Sequence, residues 1–243
     1  MARTAQVMAD AVATGIVDRA VVLDGGSTDA TAAVARAHGV EVLTVADVMS
    51  SLGPVLGKGD SLFRGVHAVD ADHYVFLDAD LGNVSVRHVQ ILAERITSGD
   101  AMFVKAGFVR VDEHGAARAI PAGRVTEEVG RPLLAIVSPA LAVLSQPLSG
   151  QVAIRGSLAR SMSFATGYGV EIAMLIDVAR LNGPHAVVEV DLGAINNRWK
   201  PDDALDEVRA QVVAGAALRG VEIEPNAGHS HASVVDRRPR PES

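Results

Sequence analysis

Apolar positions along this chain follow two periods that take turns. Short, nearly continuous apolar runs at 20–24 (AVVLD), 40–45 (VEVLTV), 73–78 (HYVFLD), 101–111 (AMFVKAGFVRV), 150–156 (GQVAIRG) and 185–193 (HAVVEVDLG) predict buried strands. Between them, amphipathic stretches at 60–69, 84–99, 124–137, 167–183 and 203–218 predict helices, as do a short N-terminal segment and 25–39. Ser27, Thr28 and Asp29 offer N-cap oxygens for the helix in 25–39, and Gly39 stands where a left-handed C-terminal residue belongs. Alternation of the two periods predicts an α/β sandwich around a mostly parallel central sheet. Residues 46–59 and 112–123 lack either period and predict loops. No internal repeat is visible. The chain therefore reads as one domain over 1–223, and the Pro, Ser, Arg and His of 224–243 predict a disordered tail.

Composition narrows the functions open to such a fold. With 243 residues, 49% of them hydrophobic, the chain can bury a large core. Its formal net charge of −7 argues against nucleic-acid binding driven by clustered cations. There is no cysteine, hence no disulfide, thiolate metal site or cysteine nucleophile. The first residues lack the apolar centre of a signal peptide, and no run of about 18 apolar residues occurs. These features predict a cytoplasmic protein without a membrane span.

Candidate chemistry gathers at strand ends. The run YVFLDAD delivers Asp78 and Asp80 to the carboxyl end of a buried strand, where open α/β sheets bind ligands. Two carboxylates two residues apart can face one centre, and their mutual repulsion is relieved by a cation. A Mg²⁺ or Mn²⁺ ion held there would keep positions open for a diphosphate. The alternative is that one aspartate caps the next helix and the other is solvated. Asp24 and Gly25 end an earlier strand in the same manner, as a nucleotide contact or as an ordinary strand-to-helix turn. Lys58, one of only three lysines, lies between Gly57 and Gly59, either to meet a phosphate or as a solvated loop lysine. The spacing is not that of a Walker loop. The eight histidines form no spaced ligand pair on one element.

Taken in order, VVLDGGSTDAT, GKGDSLFRG, YVFLDADLGN, GRVTEEVGRPLLA, QPLSGQVAIRG and FATGYGVEIAMLIDV resemble the GT-A glycosyltransferases, in particular the glucosyl-3-phosphoglycerate synthases and their mannosyl relatives. The likeness spans roughly 21–217. It implies a retaining hexosyl transfer from a nucleotide-diphosphate sugar, UDP-glucose being favoured, to a small anionic or ring-containing acceptor. It also implies that Asp24, Gly25, Lys58, Asp78, Ala79, Tyr168 and Glu171 surround the donor, with Asp80, Lys58 and Glu171 acting in catalysis. Arg124 and Thr126 would hold the acceptor. No enzymic nucleophile is implied, since the departing phosphate oxygen can take the acceptor's proton. Glu171 alternatively caps its helix. Related enzymes pair through C-terminal helices, and 203–218 has an apolar face suited to a homodimer.

Two departures from the family pattern stand out. The usual first strand and its nucleotide-cradling turn precede a helix like the one at which this chain starts, which predicts a translation start further upstream. In DLGAINNRWKP, Asn197 falls where the family's metal-binding histidine belongs, leaving Asp80, Asp78 and Asn197 as the implied metal set. Ile195 and Trp199 replace polar acceptor groups there, with Arg198 beside them. Trp199 would stack on a ring, which predicts that 3-phosphoglycerate is not the acceptor or is bound poorly. Alternatively Trp199 is core, with Arg198 and Lys200 the phosphate grip. Two further readings follow from the same residues: sugar-1-phosphate nucleotidylyl transfer, and a catalytically silent or truncated GT-A-like protein that only binds nucleotide sugar.

Overall fold

The computed structural model describes residues 1–99, 101–120, 122–196, 201–223 and 232–239. The elements run α1 (Ala2–Ala13), β1 (Val21–Asp24), α2 (Thr31–Ala37), β2 (Glu41–Thr44), α3 (Gly57–Ala68), β3 (His73–Phe76), α4 (Val86–Thr97), β4 (Phe103–Val111), α5 (Arg131–Val137), α6 (Pro139–Ala142), β5 (Val152–Arg155), α7 (Gly156–Ser161), β6 (Phe164–Ala165), α8 (Val170–Asn182), β7 (Val187–Asn196), α9 (Asp206–Ala217) and β8 (Asp236–Arg237). A π-turn, Thr126–Gly130, leads into α5.

The main sheet has the order β3-β5-β4-β7, with β5 antiparallel to both neighbours and β4 parallel to β7. Strands β1 and β2 pair in parallel as a separate two-stranded sheet. Among the described residues no strand joins β1 to β3, and residues of both line one continuous cavity of about 1640 Å³.

The period of two in β4 and β5 divides the core. Val104, Ala106, Phe108 and Ala153 face α1 and α4, whereas Phe103, Val152 and Ile154 face α3, α5 and α8. Helix α8 is apolar on nearly every side because it is enclosed: nine of its residues, from Val170 to Ala179, are buried. Each such Leu or Ile removed from water contributes about 1.5–3 kcal/mol.

The structure departs from the sequence expectations in several places. Helix α3 starts at Gly57, so Lys58 lies in its first turn and not in a loop. Helix α2 has no side-chain N-cap bond, although Asp29 Oδ1 accepts from Thr31 N at 2.9 Å. The buried residues of α9, among them Ala210, Val212 and Ala216, belong to the chain's own core, so this face is already covered and is not free for a second copy. The disorder expected from 224 onward does not hold for 232–239. There β8 pairs antiparallel with β6, Thr166 N donates to Val235 O at 2.9 Å, and Arg237 Nε meets the fully buried Asp60 at 2.8 Å. Two-residue strands carry too little periodicity to be read from sequence. No helix among the described residues is long and apolar enough to cross a membrane.

Candidate active site

Three elements converge on one ammonium group. Lys58, in the first turn of α3, places its Nζ 2.5 Å from Asp78 Oδ1, just beyond the end of β3, and 2.6 Å from Glu171 Oε1, in the first turn of α8. Burial alone would lower the Lys58 pKa, but Glu171 and Asp78 reverse this and hold it well above the usual lysine value. Burial likewise pushes Asp78 up, and the Lys58 charge more than offsets it, so the carboxylate sits below its usual range. Glu171 makes no capping bond to its own helix, which leaves the ion pair as its role.

The turn before β5 completes the cluster. Gln151 Nε2 donates to Asp78 Oδ2 at 2.9 Å. A Cβ on Gly150 would lie 2.3 Å from both Asp78 Oδ1 and Lys58 Nζ, so only glycine lets the backbone approach. Beneath this turn Lys105, fully buried in β4, donates to Ser149 O, and burial lowers its pKa to about 7. Gln151, Gly150 and Lys105 escaped the sequence reading. A lone lysine inside an otherwise apolar strand was the one signal available for Lys105.

Asp80 is exposed and has no hydrogen bond or ion pair among the described residues. Ala79 O accepts from Thr4 Oγ1 at 3.0 Å, fastening the Asp78–Asp80 turn to α1. Among the described residues, three carboxylates thus stand against one fully charged lysine, a surplus of negative charge on a wall of the cavity. A hard divalent cation with phosphate oxygens as further ligands suits that donor set, which needs only one or two protein carboxylates. No cluster of three His, Cys, Asp or Glu side chains able to hold a metal occurs among the described residues.

Asp24 turns its carboxylate onto its own loop, accepting from Ser27 N at 2.8 Å and Gly26 N at 3.2 Å, and these bonds hold its pKa low. Gly25 backs onto Ser61 of α3, where a Cβ would be 3.4 Å from Ser61 Oγ. Neither residue is part of the cavity wall, in contrast to Lys58, Asp78, Ala79, Asp80, Tyr168 and Glu171.

The cavity continues to Arg124 and the buried Thr126, at the entry to the π-turn. Arg124 Nη1 meets Asp202 Oδ1 at 2.8 Å, and Arg209 shares that carboxylate at 2.8 Å while also holding Glu128 and Asp206. Ile195 is fully buried in the core of β7. Asn197, Arg198, Trp199 and Lys200 lie outside the described residues.

By its structural neighbours, this fold is that of the GT-A-type glycosyltransferases. The glucosyl-3-phosphoglycerate synthase of Mycobacterium tuberculosis (strain CDC 1551 / Oshkosh) is 38% identical over 205 residues, which is 82% of this chain and 63% of that protein. A solved structure of the M. tuberculosis synthase with Mn²⁺, uridine-diphosphate-glucose and phosphoglyceric acid matches with a TM-score of 0.79 and 35% identity, covering 96% of this chain and 85% of that one. The mannosyl-3-phosphoglycerate synthase of Rubrobacter xylanophilus matches with a TM-score of 0.81 and 31% identity, covering 93% of this chain and 73% of that one. No protein-family model matches the chain. The chain belongs to the glucosyl-3-phosphoglycerate synthase family.

Proposed function

We propose that this chain transfers glucose, with retention at the anomeric carbon, from UDP-glucose to a hydroxyl of a small anionic acceptor, in a divalent-metal-dependent reaction. The observation that carries the reading is Lys58 bridging Asp78 and Glu171 beside Asp80, which has no partner among the described residues, in a cleft that runs on to Arg124 and Thr126. It is supported by the relative solved with Mn²⁺, UDP-glucose and phosphoglyceric acid. The catalytically silent alternative has no such support, because the lysine–carboxylate cluster is intact.

Asp78 and Asp80 would hold Mg²⁺ or Mn²⁺, which supplies Lewis-acid stabilisation of the charge on the leaving diphosphate. Lys58 contributes a fixed positive charge to the same end of the site, the largest kind of contribution such a cluster can make. Glu171, held by Lys58, accepts hydrogen bonds from sugar hydroxyls, and Tyr168 flanks it. Arg124 and Thr126 fix the acceptor's anionic group, with Arg124 exchanging Asp202 for it. The bond from the anomeric carbon to the diphosphate breaks, and the bond to the acceptor oxygen forms on the same face. The acceptor's proton passes to the departing phosphate oxygen, so no protein base is required. The assignments of Asp24 and Gly25 to the nucleotide, and of Asn197, Arg198 and Trp199 to metal and acceptor, belong to the same proposal. With Ile195 in the core, β7 offers one polar acceptor group fewer than the family pattern.

The test is turnover of UDP-glucose with Mn²⁺ and 3-phosphoglycerate or unphosphorylated glycerate, followed by NMR of the product's anomeric proton. A glucosylated acceptor with retained configuration is expected; 3-phosphoglycerate serves as the probe because phosphoglyceric acid accompanies the solved relative, while Asn197 and Trp199, which carried the expectation that it binds poorly, lie outside the described residues. Inversion, or consumption of donor by water alone, would overturn the reading.

A further inference from the structure

The acceptor end of the cavity holds a cation that the family motifs do not mark. Arg110, near the end of β4, lines the cavity and is half-buried. Its Nε donates to the neutral Gln146 Oε1 at 3.1 Å, and its guanidinium lies 5.9 Å from the Phe108 ring centroid. It forms no ion pair among the described residues.

Its neighbours explain why a counter-ion is needed. A Cβ on Gly123 would lie 3.4 Å from Arg110 Cζ, so the guanidinium rests on the backbone directly before Arg124, in the segment that leads to Thr126. Burial disfavours the protonated guanidinium, Asp78 offsets part of this from a distance without touching it, and the nearby positive charge of Arg118 adds to the burial effect. Arg118 and Arg124 line the same cavity. A partly desolvated arginine that no carboxylate among the described residues touches is costly to keep charged, and an anion bound beside it relieves that cost. The planar fork of its terminal nitrogens suits a carboxylate or phosphate.

We propose that Arg110 is an acceptor-binding residue that grips an anionic group of the acceptor from the floor of the Gly123–Arg124 segment. The inference rests on the acceptor end assigned under the proposed function, and it names a residue which that assignment did not include. Gln146 positions it: Gln146 Nε2 donates to Phe108 O at 2.9 Å, which presents Oε1 to the arginine. Binding of an anion there orders the guanidinium before the donor's sugar is attacked and requires no contact with the donor.

Two measurements on the full chain separate this from the function reading. Initial rates with UDP-glucose, Mn²⁺ and 3-phosphoglycerate compare wild type with Arg110→Gln and Arg110→Lys. Acceptor KM is expected to rise at least about tenfold in Arg110→Gln with kcat and donor KM within about twofold, and by less in Arg110→Lys, which keeps the charge but not the fork. In parallel, calorimetric titration with 3-phosphoglycerate alone, without donor or metal, should show binding by wild type that is weakened in both variants. This arm decides the matter even if wild type proves inactive. Unchanged acceptor KM in active Arg110→Gln, or unchanged calorimetric affinity, overturns the inference and leaves the proposed function standing. A matched fall in kcat at constant acceptor KM overturns it too, since that marks a structural effect. Gln146→Leu guards against misfolding as an explanation: it keeps the charge and is expected to lie between wild type and Arg110→Gln.

Discussion

Lys58 Nζ stands 2.6 Å from Glu171 Oε1, which ties the first turn of α3 to the first turn of α8 directly over the Gly150 turn. Each helix contributes its N-terminal end to the same small volume, and the ammonium keeps two carboxylates from repelling each other. The consequences can be measured.

Gly150→Ala should break this arrangement without altering any charged residue. Its Cβ would fall 2.3 Å from Lys58 Nζ and Asp78 Oδ1, so the turn or the ion pair must shift. A cost of about 1–3 kcal/mol is expected, a loss of donor affinity of about 5- to 150-fold. Donor titration and thermal melting check it.

Lys105 sets a pH dependence of stability. Its pKa falls from 10.5 unfolded to about 7 in the fold because it is buried. Between those values the unfolded chain binds the extra proton, so stability should rise with pH across that window and level off above it. Denaturant melts from pH 7 to pH 10 should show this rise for wild type and a smaller one for Lys105→Met.

Arg209 keeps Asp202 from being held by Arg124 alone. In Arg209→Ala that carboxylate should compete more strongly with the acceptor for Arg124. Acceptor KM should rise severalfold with little change in kcat, accompanied by a loss of about 1–3 kcal/mol of stability from the broken charged bonds. Steady-state rates at varied acceptor concentration separate the two effects.

Arg237 carries the tie between 232–239 and the start of α3 through Asp60, whose side chain is fully buried. Arg237→Ala leaves Asp60, among the described residues, with Arg64 and the Leu56 N–H as its partners, at a cost of about 1–3 kcal/mol. Amide exchange should quicken at Thr166 and Val235, which pair across this contact.

Much of this was legible in sequence because strands and helices of this core announce themselves by period. Asp78 and Asp80 stood out as charges ending an apolar run, and Lys58 as a rare lysine between glycines. Glu171 was placed by its GYGVE context, yet its partner was not, because the pairing of α8 with α3 depends on how both pack against the sheet. Gly150, Gln151 and Arg110 remained hidden for the same reason: close backbone approach and the lack of a counter-ion are properties of three-dimensional neighbourhood. Asp24 shows the opposite case, a motif residue whose carboxylate is occupied by its own loop. The antiparallel β5 was read as a strand but not as the element inserted between β3 and β4.

The central claim is that Asp78 and Asp80, with Lys58, form a metal-dependent site for the donor. Calorimetric titration of the full chain with UDP-glucose, with and without Mn²⁺, tests it most directly, with Asp80→Ala and Lys58→Met beside the wild type. Binding is expected to require Mn²⁺, to be lost in Asp80→Ala and to weaken about tenfold or more in Lys58→Met. Donor binding of equal strength without metal, or undiminished in Asp80→Ala, would contradict it.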